Sequence, residues 1–169
     1  QGLRARIARA AASDLDVLVR GETGTGKELV ASAIHRESGR SRANLVSVNM
    51  AAIAPELAPA ALFGSARGAF TGAHRAAPGY FQQARGGTLF LDEIGNIDLD
   101  LQKKFLRFLE TGRIRRVGET KETQVDTRVV LATNLSIEEA VEQGRIRSDL
   151  FYRMAEFSIT IPPLRKRPE

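Results

Sequence analysis

The sequence predicts an α/β domain built on a largely parallel sheet, and three observations carry that expectation. Short apolar runs rich in β-branched residues alternate with segments of helical periodicity, the alternation from which crossover units and parallel sheets are built. A glycine-rich stretch, Gly21-Glu22-Thr23-Gly24-Thr25-Gly26-Lys27-Glu28, follows one such run directly and opens a helical segment. An acidic pair, Asp92-Glu93, closes another run, Thr88 to Leu91. Open parallel sheets gather their ligands at the carboxyl ends of strands, so both stretches fall where chemistry belongs.

Along the chain, residues 2–12 place Leu3, Ile7 and Ala10 on one face of an amphipathic helix, closed by Ser13-Asp14. A first strand covers about 16–20, and the helix behind the glycine stretch reaches about Ser38. A polar run, Gly39 to Arg42, leads to a second strand over Leu45 to Val48, ending at Asn49. Glu56 to Phe63 reads as helix, and a helical pattern resumes from Gly79 to Ala84. Between them lies Gly64-Ser65-Ala66-Arg67-Gly68-Ala69-Phe70-Thr71-Gly72-Ala73, interrupted by three glycines. An aromatic at the tip of a glycine-bracketed loop has little packing reason to be there. Gly86-Gly87 breaks the chain before the third strand, Thr88 to Leu91. Leu101, Phe105, Phe108 and Leu109 mark a helix from Leu99 to Thr111, and residues 112–126 read as a hairpin around Gly118. Arg128 to Ala132 is the fourth strand, ending at Thr133-Asn134. Ser136 and Glu139 carry the capping-box signature of another helix. Arg145 to Tyr152 adds a helical piece, and Phe157 to Ile161 is the fifth strand, stopped by Pro162-Pro163.

With 169 residues the chain is sized for one domain. Its 43% hydrophobic and 27% charged residues are close to ordinary globular values. The absence of cysteine excludes disulfides and thiolate metal sites, and His35 and His74 have no metal-ligand spacing. No apolar run approaches the ~20 residues of a membrane span and no signal peptide is visible, so the expectation is a cytoplasmic protein without membrane contact. A net charge of +5 favours acidic partners such as nucleotides or nucleic acid. The basic residues are dispersed, however, as they would also be in a piece cut from a longer, balanced chain.

The glycine stretch matches the phosphate-loop pattern, in which successive backbone N–H groups and a helix N-terminus cradle phosphates and Lys27 adds a full charge. Glu28 stands where a Ser or Thr commonly meets Mg²⁺, so a metal needs other ligands or water. Asp92 can hold that metal and Glu93 can orient water or accept its proton; the bland alternative is an acidic pair capping the next helix. Thr133-Asn134 can hydrogen-bond a water or a γ-phosphate, or simply start a turn. Asn49 is a turn residue placed to hydrogen-bond Glu93. Arg147 and Arg153 form either a solvated face or a pair of fingers reaching a neighbouring subunit's nucleotide.

Together these residues resemble the AAA+ ATPases, and among them the central domain of the bacterial sigma-54-dependent transcriptional activators, the enhancer-binding proteins. The resemblance rests on the phosphate loop with its Glu28, on Gly68 to Ala73, on Gly86 to Gly95 and on Arg147 to Arg153, and it covers essentially the whole chain as one domain, 1–169. It implies a P-loop NTPase αβα sandwich with a five-stranded, mostly parallel sheet, lacking the helical lid expected beyond Pro168, and it implies hydrolysis of ATP with Mg²⁺. By the same resemblance Gly21, Glu22, Thr23, Gly24, Thr25, Gly26, Lys27 and Glu28 hold the nucleotide, Asp92 the metal, and Glu93 polarises water. Asn49 holds Glu93 inactive until the γ-phosphate is in place, Thr133 and Asn134 form the first sensor, and Arg147 and Arg153 act in trans. Gly68, Ala69, Phe70, Thr71, Gly72 and Ala73 contact sigma-54 in the RNA polymerase holoenzyme. The implied assembly is a homo-oligomeric ring, a hexamer, that meets DNA mainly through a separate domain.

Ala61, Gln82, Ala77 and Met50 depart from the family pattern in the segment that carries the loop, which bears on loop control more than on nucleotide binding. Two other readings stay open: a nucleotide-binding module that oligomerises without activating sigma-54, and a generic remodeller of DNA or protein that uses the 112–126 hairpin.

Overall fold

The computed structural model describes residues 2–167. Gln1, Pro168 and Glu169, the ends of the expected domain, lie outside the described residues. The strands are β1 (Val17–Arg20), β2 (Leu45–Asn49), β3 (Thr88–Asp92), β4 (Arg113–Arg115), β5 (Glu122–Gln124), β6 (Arg128–Thr133) and β7 (Ser158–Thr160). Five of them form one sheet in the order β2-β3-β6-β1-β7, while β4 and β5 pair as a separate antiparallel hairpin. Every pairing in the five-stranded sheet is parallel, so the expected mostly parallel sheet is wholly parallel among the described residues.

The helices are α1 (Leu3–Ala12), α2 (Lys27–Arg36), α3 (Ala58–Phe63), α4 (Tyr80–Gln83), α5 (Leu99–Thr111), α6 (Ile137–Glu142) and α7 (Ser148–Met154). Strand side chains alternate between faces, and here both faces are covered. Val17, Val19, Val130, Ala132 and Ile159 turn toward α1 and α2, packing with Ala10, Val30, Ala31 and Ile34. Leu18, Leu89, Leu91, Val129 and Leu131 turn the other way, into a core with α3 to α7. The result is the three-layered αβα sandwich that near-continuous apolar strands require. Each fully buried Leu, Val or Phe contributes roughly 1.5–3 kcal/mol of transfer free energy.

A stack of aromatic rings ties the loop-bearing segment to the frame. Phe63 at the end of α3 stacks on Phe81 of α4 at 5.2 Å, and Phe81 meets Phe108 and Phe105 of α5 at 4.4 and 5.7 Å. The amino edge of the sheet is sealed by charge. Arg128, 2% exposed, donates from Nε to the Leu15 carbonyl and from Nη2 to the Ala10 carbonyl. Arg40 grips both Asp14 oxygens and Asp126 at 2.7–2.8 Å.

Two local expectations change. Ser136 precedes α6 but makes no side-chain cap, so the capping box read from the sequence does not form. Arg145 to Arg147 precede α7, whose first residue is Ser148, because Gln102 of α5 captures their backbone: its Nε2 donates to the Arg145 carbonyl, and its Oε1 accepts from the Arg147 N–H.

Candidate functional site

Because the sheet is parallel, the carboxyl ends of all its strands share one edge. Adjacent strands end side by side there, with Asn49 opposite Asp92 and Arg20 opposite Thr133. The glycine stretch leaves β1 at this edge and turns into α2 through Gly26, whose φ of 90° is left-handed and costs a residue with a Cβ dearly. The loop is tied to its neighbours on both sides. The Gly21 N–H donates to the Thr133 carbonyl at 3.1 Å. Asn134 donates from Nδ2 to Thr23 Oγ1 at 3.0 Å, so the residue at the end of β6 touches the loop it was expected to serve.

Lys27 is 7% exposed and folds back on its own loop, donating from Nζ to the Gly21 and Glu22 carbonyls at 3.0 Å each. A phosphate entering the cradle would replace those carbonyls as acceptor, one set of charge-assisted hydrogen bonds exchanged for a stronger one. Glu28 is exposed in the first turn of α2, where a carboxylate suits the helix dipole.

Asp92 and Glu93 are both half-buried at the end of β3. Asp92 Oδ1 accepts from the Glu93 N–H at 2.8 Å. Glu93 has φ 55° and ψ 47°, and it is the non-glycine residue with positive φ among the described residues. Holding a non-glycine residue there costs on the order of 1–3 kcal/mol, and such strain collects at functional sites. Asn49 was expected to reach Glu93. Instead its Oδ1 accepts from the Ala51 N–H at 2.9 Å, capping a single 3₁₀ turn, and no hydrogen bond joins it to Glu93 among the described residues. An Asx cap is the nearest competitor for an Asn at a strand end, and it wins here.

The two candidate fingers are placed differently. Arg147 holds Asp149 through Nε and Nη2 at 3.0 and 2.8 Å, and that pairing raises the pKa of Arg147 and lowers that of Asp149. Arg153 donates from Nη2 to the Leu109 carbonyl at 2.8 Å and pairs with Glu156. It lines a cavity of about 140 Å³ with Asp14 and Asp16, at the amino end of β1. The phosphate loop is at the other end of that strand, so any finger role of Arg153 is toward a neighbouring copy and not toward its own loop.

Residues 68–73 form a closed tip, with the Gly68 N–H donating to the Ala73 carbonyl at 2.7 Å. Phe70 at that tip is 48% exposed. The base of the loop is zipped to the hairpin connection: the Ala66 N–H donates to the Val117 carbonyl and the Val117 N–H to the Gly64 carbonyl, each at 2.9 Å. At Gly118 (φ 86°) an added Cβ would stand 2.8 Å from that of Ala69, so loop base and hairpin fit only with glycine there. Gln82, which departs from the family pattern, has a local reason: its Oε1 accepts from the Gly79 N–H and its Nε2 donates to the Phe63 carbonyl, each at 2.7 Å. An acid would keep the first bond and lose the second.

Sequence reasoning missed three contacts at the carboxyl edge. Arg20 donates from Nη1 and Nη2 to the two Glu138 carboxylate oxygens at 3.0 and 2.6 Å. Arg165 holds Glu22 at 2.8 and 2.9 Å. Arg167 donates from Nη2 to the Thr25 carbonyl at 2.6 Å. The signal was the basic run after Pro162-Pro163, but only the adjacency of β7 to β1 delivers it to the loop. Among the described residues no cluster of three His, Cys, Asp or Glu suits a metal, and no helix is long and apolar enough to cross a membrane.

The profile of the family described as the Sigma-54 interaction domain matches residues 1–160. The anaerobic nitric oxide reductase transcription regulator NorR of Vibrio vulnificus (strain YJ016) is 51% identical over 172 residues, covering 100% of this chain and 34% of that protein. The DNA-binding transcriptional regulator NtrC of Escherichia coli (strain K12) is 48% identical over 163 residues, covering 96% of this chain and 35% of that protein. Among solved structures, NtrX from Brucella abortus in complex with ATP superposes with a TM-score of 0.88 at 36% identity, covering 96% of this chain and 35% of that one. The P-loop NTPase domain of an Escherichia coli sigma-54 activator, at 20% identity and a TM-score of 0.63, shares the fold. The chain thus spans about a third of the length of the curated relatives it matches.

Proposed function

The chain belongs to the sigma-54 interaction domain family, and from that premise we propose that it is the ATP-hydrolysing module of a sigma-54-dependent transcription activator. The observation that carries the reading is the convergence at one sheet edge of Lys27, the strained Glu93, Asp92, and Asn134 reaching Thr23 of the loop. In this reading the N–H groups of Gly21 to Glu28 and Lys27 bind the triphosphate. Glu93 accepts the proton of the attacking water. Asn134, already on the loop, reports whether the γ-phosphate is present. Arg147 completes the site of the neighbouring copy in a homo-oligomeric ring, and Asn49 must leave its Ala51 cap to restrain Glu93.

The residues present suit Mg²⁺ carried by the nucleotide. Asp92 keeps Oδ2 free of hydrogen bonds among the described residues, and Mg²⁺ at such sites takes one or two carboxylates with phosphates and water. The ion would supply charge neutralisation on the transferred phosphoryl group. At the far end Phe70 and Thr71, with the rest of Gly68–Ala73, contact sigma-54 in the polymerase holoenzyme. The zip between loop base and hairpin supports transmission of movement to that tip. The domain 1–169 acts in the cytoplasm inside a longer protein that meets DNA through another part.

In the full-length protein, Lys27→Ala abolishes nucleotide binding and hydrolysis. Phe70→Ala keeps hydrolysis while losing sigma-54 capture in the presence of a transition-state nucleotide analogue. Wild-type transcription activation by Phe70→Ala would remove the loop from this role. One observation favours a second use of the hairpin. A groove of about 350 Å³ beside it is lined by Lys103, Lys104, Arg107 and Arg115, with Glu122 as the single acid. Steeply salt-dependent DNA binding lost on Lys103→Ala/Lys104→Ala would support that use.

A further inference from the structure

Glu22 is an acid inside a loop built to hold polyanions. A carboxylate beside a triphosphate opposes binding unless its charge is offset. The offset comes from the segment after β7. The Ile161 N–H donates to the Arg20 carbonyl at 2.7 Å, prolonging the β1–β7 pairing to the foot of the loop. A Cβ on Gly21 would stand 3.3 Å from that of Ile161, so the segment passes directly against the loop. After Pro162 and Pro163 it makes one 3₁₀ turn, Leu164–Lys166. From that turn Arg165 grips both oxygens of Glu22, and just beyond it Arg167 takes the Thr25 carbonyl. Arg167 is itself held by the Pro162 carbonyl at 3.1 Å. The Glu22 carboxyl is held below the usual range by the Arg165 hydrogen bonds.

We propose that residues 162–167 form a strap that positions the phosphate loop, with Arg165 cancelling the charge of Glu22 and Arg167 setting the direction of the Thr25–Gly26 peptide. The proposal rests on the nucleotide-binding reading of the loop. A trans peptide points its N–H opposite to its C=O, so the carbonyl held by Arg167 turns the Gly26 N–H away from the strap. The Thr25 hydroxyl, which donates to the Glu22 carbonyl at 2.7 Å, closes the same turn from within. Arg165 and Arg167 are therefore positioning residues: they act on the ligand through Glu22 and Thr25 and need not touch it. The strap also makes affinity depend on where the chain beyond β7 is held, since pulling it away removes both contacts together.

The test is a mutant cycle on the full-length protein, reading the dissociation constant of ADP and of a non-hydrolysable ATP analogue at low salt. Arg165→Ala weakens binding about tenfold, a change of about 1.4 kcal/mol, with KM rising and kcat holding. The same substitution in a Glu22→Gln background costs less than about twofold, because the charge it cancels is gone. Raising the salt shrinks the loss, as screening requires. Binding of Arg165→Ala within twofold of wild type overturns the proposal. So does an equal loss in the Glu22→Gln background, which would mean that Arg165 meets the nucleotide directly. A second readout needs no nucleotide: amide hydrogen exchange at residues 22–26 speeds up in Arg167→Ala and Arg165→Ala, and unchanged exchange in both overturns the strap. A wild-type protein that binds no nucleotide would defeat the nucleotide-binding reading instead, leaving the strap to stand or fall on exchange.

Discussion

The two edges of the sheet use the same residue types to opposite ends. At the amino edge Arg128 is buried on backbone carbonyls, Arg40 bridges Asp14 and Asp126, and Arg153 is tied to Leu109 and Glu156. Apart from Arg128 Nη1, which is buried without a partner, those groups are occupied within the chain and hold layers together. At the carboxyl edge Lys27 rests on replaceable carbonyls, Asp92 keeps one oxygen free of hydrogen bonds among the described residues, and Glu93 is held in a strained conformation. An arginine or aspartate is structural where its partners are already present, and available for chemistry where they are provisional. The two candidate fingers differ in one contact: both are half-buried and hold a nearby acid, Asp149 or Glu156, but Arg153 also donates to the Leu109 carbonyl at the amino edge.

Exchanging the two arginines for alanine puts the largest expected effect on that contrast. Arg147→Ala lowers kcat of the assembled protein by about 10³–10⁵-fold, the worth of an arginine finger, with the Tm nearly unchanged because an exposed ion pair contributes about 0–1 kcal/mol. Arg153→Ala instead lowers the Tm, since it frees the Leu109 carbonyl at the end of α5 and removes a positive charge from beside Asp16. Steady-state hydrolysis and thermal melts of both variants decide the matter. Equal losses of kcat at unchanged Tm would give both arginines the same catalytic role in a neighbouring copy.

Glu93→Gln tests the carboxyl edge from within one chain. With Glu93 as the proposed general base, its loss lowers kcat by roughly 10²–10⁴-fold. The melting temperature should hold, because Glu93 offers its side chain to no hydrogen-bond partner among the described residues and its strain belongs to the backbone. Nucleotide affinity, measured separately, should persist. A collapse of both affinity and Tm would mean that Glu93 is part of the frame and not of the chemistry.

How legible all this was in the sequence follows the same contrast. Strand–loop–helix order, the acidic pair after β3 and Thr133-Asn134 after β6 are each local patterns, and each landed on the shared edge because parallel pairing leaves no other place for strand ends. The expected contacts differ where another partner, distant or near, takes the group first. Gln102 is a mid-helix residue that the helical pattern does not single out, yet it draws the chain before α7 out of helix across 43 and 45 residues. Asn49 read as a partner for Glu93, but a bond to Ala51 two residues away is made at lower entropic cost. Arg128 read as an ordinary strand-opening residue, and only the packing of Ala10 and Leu15 around it shows a buried guanidinium. The strap was visible as a basic run without an address; the address came from β7 lying beside β1.

The smallest expected effect belongs to Asp16, the half-buried acid of the amino edge. Burial raises its carboxyl above the usual range and outweighs the Val129 N–H, which it accepts at 2.9 Å, and the charges of Arg153 and Arg128. Asp14 adds a little in the same direction as burial. The folded protein therefore binds the Asp16 proton more tightly than the unfolded chain does. Its contribution to stability is complete below the ordinary aspartate value of 3.8 and is lost as pH rises through the higher folded value. Asp16→Asn keeps the acceptor for Val129 and never ionises. At pH 7 the variant should melt no more than about 2–4 °C above wild type, the shift that about 1 kcal/mol produces in a domain of this size. Below pH 4 the two curves should merge. A variant that melts lower than wild type at pH 7 would show that the charge of Asp16 is needed to hold Arg128 and Arg153, and that the amino edge is a set of ion pairs more than a set of satisfied hydrogen bonds.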